Sequence, residues 1–180
     1  MRFAYADPPY LGQGRKLYGE HHPEAEIWDS KDEHLRLVDR LVEHYPDGWA
    51  LSANPANLRW LLPHAPDGVR VCSWVKPFHR IRPTTVQFGW EPVLLFGGRK
   101  ENGRVPMVRD WLVATPTKKK GLPGAKPDSF NEWILDLLNY KEGDILDDLF
   151  PGTGGMGQAT ARVGLWRGAQ ETPIDDQRLR

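Results

Sequence analysis

The chain has 180 residues, 39% hydrophobic and 27% charged, enough for one globular domain with its own core and short for two. Its 24 basic and 24 acidic residues cancel, so no global field draws it to nucleic acid, and any such contact must come from local basic clusters. The single cysteine, Cys72, excludes an internal disulfide and a cysteine-based zinc cluster; no apolar run reaches the ~18 residues of a membrane span, and the first residues lack a secretory pattern. A cytoplasmic protein without a membrane partner is the expectation.

Phe3 to Ala6 form a short apolar run of buried-strand type, and Pro8 and Pro9 end it, because proline lacks the ladder donor and fixes φ. A strand closing on Asp-Pro-Pro-Tyr puts a carboxylate, a rigid turn and an aromatic face at the edge where open α/β sheets bind ligands. The same tetrapeptide also suits a plain strand with a proline turn. Residues 11–29 carry Gly12, Gly14, Gly19 and Pro23 and read as a loop overhanging that edge, with Arg15, Lys16, His21 and His22 on it. His21 and His22 bring no third ligand with them, so no metal site is expected. Asp32 to Tyr45 has Leu35, Val38, Leu41 and Val42 at helical spacing, with Asp29 or Ser30 as the cap.

A strand over Gly48–Ala53, a short helix entered at Asn54 with Pro55 in its first turn, and a strand over Val69–Val75 follow, and Cys72 reads as a small core residue of the last. Strand and helix alternate, as in an α/β sheet. A further strand covers Trp90–Gly98. Residues 99–125 are basic, rich in Gly and Pro and poor in periodicity, and read as an excursion from the sheet in which Arg99, Lys100, Arg104 and Lys118-Lys119-Lys120 can meet phosphates or simply face solvent. Ser129 to Leu138 is helical, with Phe130, Trp133, Ile134, Leu137 and Leu138 on one face and Asp128 near its start. Asp144–Phe150 is a strand, residues 151–157 a glycine loop, and Gly157 onward the start of a helix; Leu165–Glu171 reads as a last strand. Most of the eight tryptophans suit core or groove walls, and one or two can stack on a base.

Gly152-Thr153-Gly154-Gly155-Met156-Gly157 fits GxGxxG between a strand and a helix, where glycines let the backbone approach a nucleotide-like ligand. Glu171 lies about twenty residues on, the place of an acid that meets ribose hydroxyls. The missing Gly-Lys-Ser/Thr argues against a phosphate-cradling loop. A dinucleotide-binding oxidoreductase stays open on this motif, although little chain remains for its second half.

Taken together, "DPPY" and "DLFPGTGGMG" resemble the S-adenosylmethionine-dependent amino-methyltransferases that act on exocyclic amines of DNA bases. "GAKPDSFNEWILDLL" looks like that family's Lys-Pro element and helix, and "SWVKP" and "WEPVLLFGG" look like its later catalytic-half strands, so nearly the whole chain is covered. The catalytic motif precedes the cofactor motif, the circularly permuted order of the beta class. The resemblance implies an α/β fold: a Rossmann-like methyltransferase sheet, mostly parallel, with helices on both faces. It implies one domain over 1–180, with a catalytic half at 1–98, a reduced target-recognition segment at 99–125 and a cofactor half at 126–180. The family's further strand ahead of the catalytic strand is expected to be missing here, since the sequence starts directly at Met1-Arg2-Phe3.

The implied activity is methyl transfer to adenine N6 in duplex or single-stranded DNA. In that chemistry Asp7 and the Pro8 carbonyl accept the amine hydrogens, Pro9 fixes the turn and Tyr10 stacks on the base once it leaves the helix. The resemblance places Phe150, Gly152 and Gly154 against S-adenosyl-L-methionine, Lys126 and Asp148 near its methionine end and Glu171 on its ribose. Arg15, Lys16, Lys118, Lys119 and Lys120 are the candidate phosphate contacts. Methylation of RNA or a small molecule, and a cofactor- or DNA-binding subunit without catalysis, are the other readings the motifs permit. Asp7 and Gly152 are expected at the ends of neighbouring strands, because methyl donor and acceptor must meet at one switch point.

Overall fold

In the computed structural model, which describes residues 1–20, 22–77, 83–101, 107–117 and 125–168, the apolar run at the start becomes strand β1 (Arg2–Ala6). Alternate side chains along it serve two cores. Phe3 and Tyr5 face one side of the sheet and Ala4 and Ala6 the other, as the two-residue repeat of a strand requires. Helix α1 (Lys31–His44) lays Leu37, Val38 and Leu41 on the second face, where Trp49 and Leu51 of β2 (Gly48–Ser52) and Leu94 complete the core. Helix α3 (Asp128–Leu138) covers the first face with Phe130, Trp133, Ile134 and Leu138, joined by Met156 and Ala159 of α4 (Gly155–Gly168). Helices thus flank both sides, and each fully buried Leu, Ile or Phe contributes roughly 1.5–3 kcal/mol of burial free energy.

The remaining elements are the short helix α2 (Leu58–Leu61), β3 (Arg70–Val75), β4 (Trp90–Gly97), β5 (Trp111–Val113) and β6 (Ile145–Asp148). The six described strands run in the order β5-β3-β4-β2-β1-β6. β1 pairs parallel with both β2 and β6, and β3 parallel with β5, whereas β4 is antiparallel to β2 and to β3. Five strands therefore share one direction and only β4 opposes them, so the mostly parallel sheet expected from the sequence is present. The C-terminal ends of β1, β2, β3, β5 and β6 and the start of β4 lie along one edge. Gly97 closes β4 at the other, where a Cβ would sit 2.7 Å from the Asp47 carbonyl at φ +68°, so only glycine fits.

Several local expectations change. Asp29 does not cap α1; its carboxylate accepts the backbone N–H groups of Gly14 at 2.8 Å and Arg15 at 3.1 Å, tying down the loop beyond β1. Ser30 occupies the N-cap position without a side-chain bond. Asn54 does cap the turn that leads to α2, accepting from the Ala56 amide at 2.9 Å. The stretch read as an excursion from the sheet contributes β5, because Trp111 to Val113 pair with Ser73 to Val75. Leu165 to Gly168 continue α4 instead of forming a last strand, and the rest of that expected strand lies outside the described residues. Short apolar pairs such as Leu165-Trp166 carry no period that separates the two states. Arg99 is not a phosphate contact at the site edge: it follows the far end of β4 and grips the Asp144 carboxylate at 2.6 and 2.7 Å.

Candidate active site at the C-terminal edge of the sheet

β1 and β6 run side by side in parallel, with Tyr5 opposite Asp148, and the Leu149 N–H donates to the Tyr5 carbonyl at 2.9 Å. The Asp-Pro-Pro-Tyr turn and the glycine turn that follow these strands are therefore neighbours. A cavity of about 600 Å³ opens between them, bounded by Asp7 and Pro9 on one side and by Asp148, Phe150 and Gly152 on the other. Its third wall comes from the loop held by Asp29, through Tyr18 and Trp28, and Trp28 meets the Phe150 ring edge-on at 4.9 Å.

The glycine turn takes this shape for stereochemical reasons. Gly152 and Gly154 both have positive φ, +48° and +75°, and Gly155 starts α4 so close to α3 that a Cβ would come 2.7 Å from the buried Asn131 amide. At Gly154 no atom lies within 4 Å of the missing Cβ, so strain alone opposes a side chain there. Gly154→Ala is expected to cost about 1 kcal/mol and to lower the melting temperature by roughly 2–4 °C. Thermal unfolding measures this; an unchanged midpoint would mean that the turn relaxes freely.

The charges at this edge form one cluster. Lys126, just before α3, keeps only 9% of its side chain exposed and places Nζ 3.1 Å from Asp7, 3.0 Å from Glu91 and 3.3 Å from the Tyr10 hydroxyl. The Tyr10 phenol donates to the second Glu91 oxygen at 2.7 Å, and Lys76, at the end of β3, pairs with the first. The Tyr5 and Ser52 hydroxyls lie 3.0 Å apart beneath Asp7.

Burial pushes the Asp7 carboxyl above the ordinary aspartate value; Lys126 pulls it back and Glu91 pushes it further up. Burial acts on Glu91 in the same sense, but Lys126 and Lys76 together bring it down to about 2. Burial would release the Lys126 proton, yet the Asp7 and Glu91 carboxylates hold the ammonium well above its usual value. Asp148 is raised by burial, against the Phe150 N–H that bonds it and together with the charge of Asp7.

Of the residues singled out from sequence, Asp7, Pro9, Lys126, Asp148, Phe150 and Gly152 line one cavity, with Pro8, Tyr10 and Gly154 in the turns that frame it. Lys126 sits at the Asp7 carboxylate. Arg15 and Lys16 are exposed on the loop above, Arg15 reaching Glu26 at 3.6 Å. Lys118, Lys119, Lys120 and Glu171 lie outside the described residues, as do His21 and Arg104. Glu91, Lys76, Ser52 and Asn131 were not anticipated as site residues, and Trp28 was read with the other tryptophans as core or groove wall without being placed at this cavity. Only Glu91 carried a signal, as a lone acid opening an otherwise apolar strand. No group of three metal-binding side chains and no helix long and apolar enough to cross a membrane occurs among the described residues.

No family model and no curated protein matches the chain. Solved structures do. The complex of M1.HpyAVI with SAM is 18% identical over 91% of this chain and 78% of its own, with a TM-score of 0.56. TTHA0409, a proposed DNA modification methylase from Thermus thermophilus, gives 19% identity over 91% and 77%, with a TM-score of 0.59. The same protein complexed with S-adenosyl-L-methionine gives 20% over 90% and 77%, with a TM-score of 0.54. At these identities the likeness is one of fold, and this chain shares the Rossmann-like fold of those structures.

Proposed function

We propose that this protein transfers a methyl group from S-adenosyl-L-methionine to the exocyclic amine of a DNA base, adenine N6 by the resemblance of its Asp-Pro-Pro-Tyr turn. One observation carries the reading: Asp7 and the Asp148–Gly152 turn face each other across a single cavity at the ends of adjacent parallel strands. That the similar M1.HpyAVI and TTHA0409 structures hold this cofactor supports it further.

The residues present suit the cofactor. About 600 Å³ falls within the range of roughly 300–1,000 Å³ usual for small-molecule pockets. Phe150, Trp28 and Met156 offer apolar walls, while Asp148 and the open glycine turn offer polar ones. Phe150, Gly152, Gly154 and Asp148 would hold the cofactor, with Lys126 toward its methionine end and Glu171 on its ribose. When bound, it would supply a methyl carbon on a sulfonium, to which a nitrogen lone pair forms a bond as the carbon–sulfur bond breaks and the sulfur leaves as a neutral thioether.

An aromatic amine is a poor nucleophile because its lone pair is delocalised into the ring. Asp7 and the Pro8 carbonyl counter this by accepting the two amine hydrogens, which favours a tetrahedral nitrogen. The raised Asp7 carboxylate then takes the proton that the nitrogen sheds. Tyr10 offers its ring to a base drawn out of the helix, and its hydroxyl bond to Glu91 fixes that ring. The single domain spans the whole chain in this reading.

Calorimetry with S-adenosylmethionine and with NAD checks the cofactor: saturable binding of the former alone is expected, and binding of NAD alone would mark an oxidoreductase instead. Because the chain is neutral overall, DNA affinity must lean on Arg15, Lys16 and the run Lys118-Lys119-Lys120. Replacing the three lysines by alanine is expected to flatten the salt dependence of binding by up to ~3 units of slope, near ~0.9 per phosphate, equally for all sequences. A salt titration with cofactor present reads this. An unchanged slope would leave the grip to Arg15 and Lys16.

A further inference from the structure

The buried charge cluster has a hub, Glu91, whose charge the proposed chemistry has so far left without a task. Four ionisable groups from four places in the chain meet here: Asp7 after β1, Lys76 after β3, Glu91 in β4 and Lys126 before α3. The β3–β4 pairing brings two of them together, since Trp74 lies opposite Glu91 and the Lys76 N–H donates to the Gly89 carbonyl at 2.8 Å. Both ammonium groups flank the Trp74 ring, Lys76 at 4.9 Å and Lys126 at 5.3 Å from its centroid. Two acids and two bases balance to zero, but the sharing is unequal. Glu91 receives Lys76, Lys126 and the Tyr10 phenol, whereas Asp7 has its share of Lys126 and a hydrogen bond from Ser52.

We propose that Glu91 is the positioning residue of this site: by sharing Lys126 with Asp7 and anchoring Tyr10, it leaves Asp7 a partly paired carboxylate able to receive an amine. A carboxylate in an undivided ion pair is a weak acceptor. One whose cation is shared keeps acceptor strength, and one flanked by a second anion keeps basicity. Glu91 supplies both conditions at 3.0 Å from the shared ammonium. It also carries Lys76, so its own negative charge is fixed and cannot take the proton in place of Asp7. Two carboxylates in one site are thereby given different tasks, the pattern by which acid–base roles are divided elsewhere. This inference rests on the reading that Asp7 receives the amine.

The test separates the two claims by observing Asp7 directly. The groups that face it are Tyr5 on its own strand, Ser52 at the end of β2, Glu91 of β4, Lys126 before α3, Asp148 of β6, and Tyr10 and Tyr18 in the following loop. Its carboxyl carbon is followed by NMR through a pH titration, assigned by its loss in Asp7→Asn. In Glu91→Gln the side-chain volume stays while the anion goes and the whole of Lys126 falls to Asp7, so the Asp7 titration is expected to move down by about one unit or more. In Lys76→Met, Glu91 turns more fully to Lys126, and Asp7 is expected to move up. The opposite signs exclude a general loosening of the fold. In the same Glu91→Gln protein kcat for methyl transfer is expected to fall ~10-fold or more, with its acid limb shifted to lower pH and KM for the cofactor little changed. An Asp7 titration that stays put in both folded variants would overturn the proposal. If Asp7 moves as stated but the wild-type protein transfers no methyl to any nucleic acid, the charge coupling stands and the functional reading fails.

Discussion

Asp7→Asn is expected to lower methyl transfer by ~100-fold or more while leaving the fold and most of the cofactor affinity in place, the scale of a positioned acid–base group. The substitution keeps the shape of the side chain but presents an amide where the amine must donate. It also removes the acceptor for the departing proton. Lys126 stays paired through Glu91, 3.0 Å away, so the cluster loses one acid without stranding its base. Single-turnover transfer and calorimetry with S-adenosylmethionine, run on the same preparation, read the two effects apart. Parallel losses of binding and turnover would place Asp7 on the cofactor side of the cavity.

Lys126→Met is expected to have the largest effect on stability. Its ammonium is buried and stands between two carboxylates, so removing it leaves Asp7 and Glu91 facing each other with only Lys76 to offset them. Breaking a buried pair in this way costs on the order of 3–5 kcal/mol. The cost depends on pH with a definite sign. In the wild-type protein Glu91 is held at about 2, below its unfolded value near 4.5, so its contribution is present above 4.5 and is lost as the pH falls toward 2. In the variant the two acids repel and their folded values rise above the unfolded ones. The deficit is then full at pH 8 and shrinks as the pH falls and one of them takes a proton. Thermal unfolding of both proteins at pH 8 and pH 5 checks this, and an equal deficit at the two values would remove the carboxylate pair from the explanation.

Strands with a clear stop were readable in advance. Pro8 and Pro9 keep β1 from running past Ala6 and leave Asp7 at its end, and Asn54-Pro55 caps the turn before α2, because each acts through its own backbone or side chain within a few residues. The nearness of Asp7 to the glycine turn was also legible, since open parallel sheets gather their ligand turns at one edge. What escaped was set by partners remote in sequence. β5 is three residues long and owes its existence to β3, and Asp29 serves the turn at Gly14 instead of capping the nearer helix. In the sequence Glu91 is one charge in an otherwise apolar strand. Its meaning comes from Lys126, Lys76 and Tyr10, which reach it from three other parts of the chain.

The measurement that bears most directly on the whole account is transfer of tritiated methyl from S-adenosylmethionine to DNA and, in parallel, to RNA, followed by digestion and identification of the labelled nucleoside. The account predicts label in DNA as N6-methyladenine, lowered ~100-fold or more by Asp7→Asn. Saturable cofactor binding with no label in DNA would contradict it.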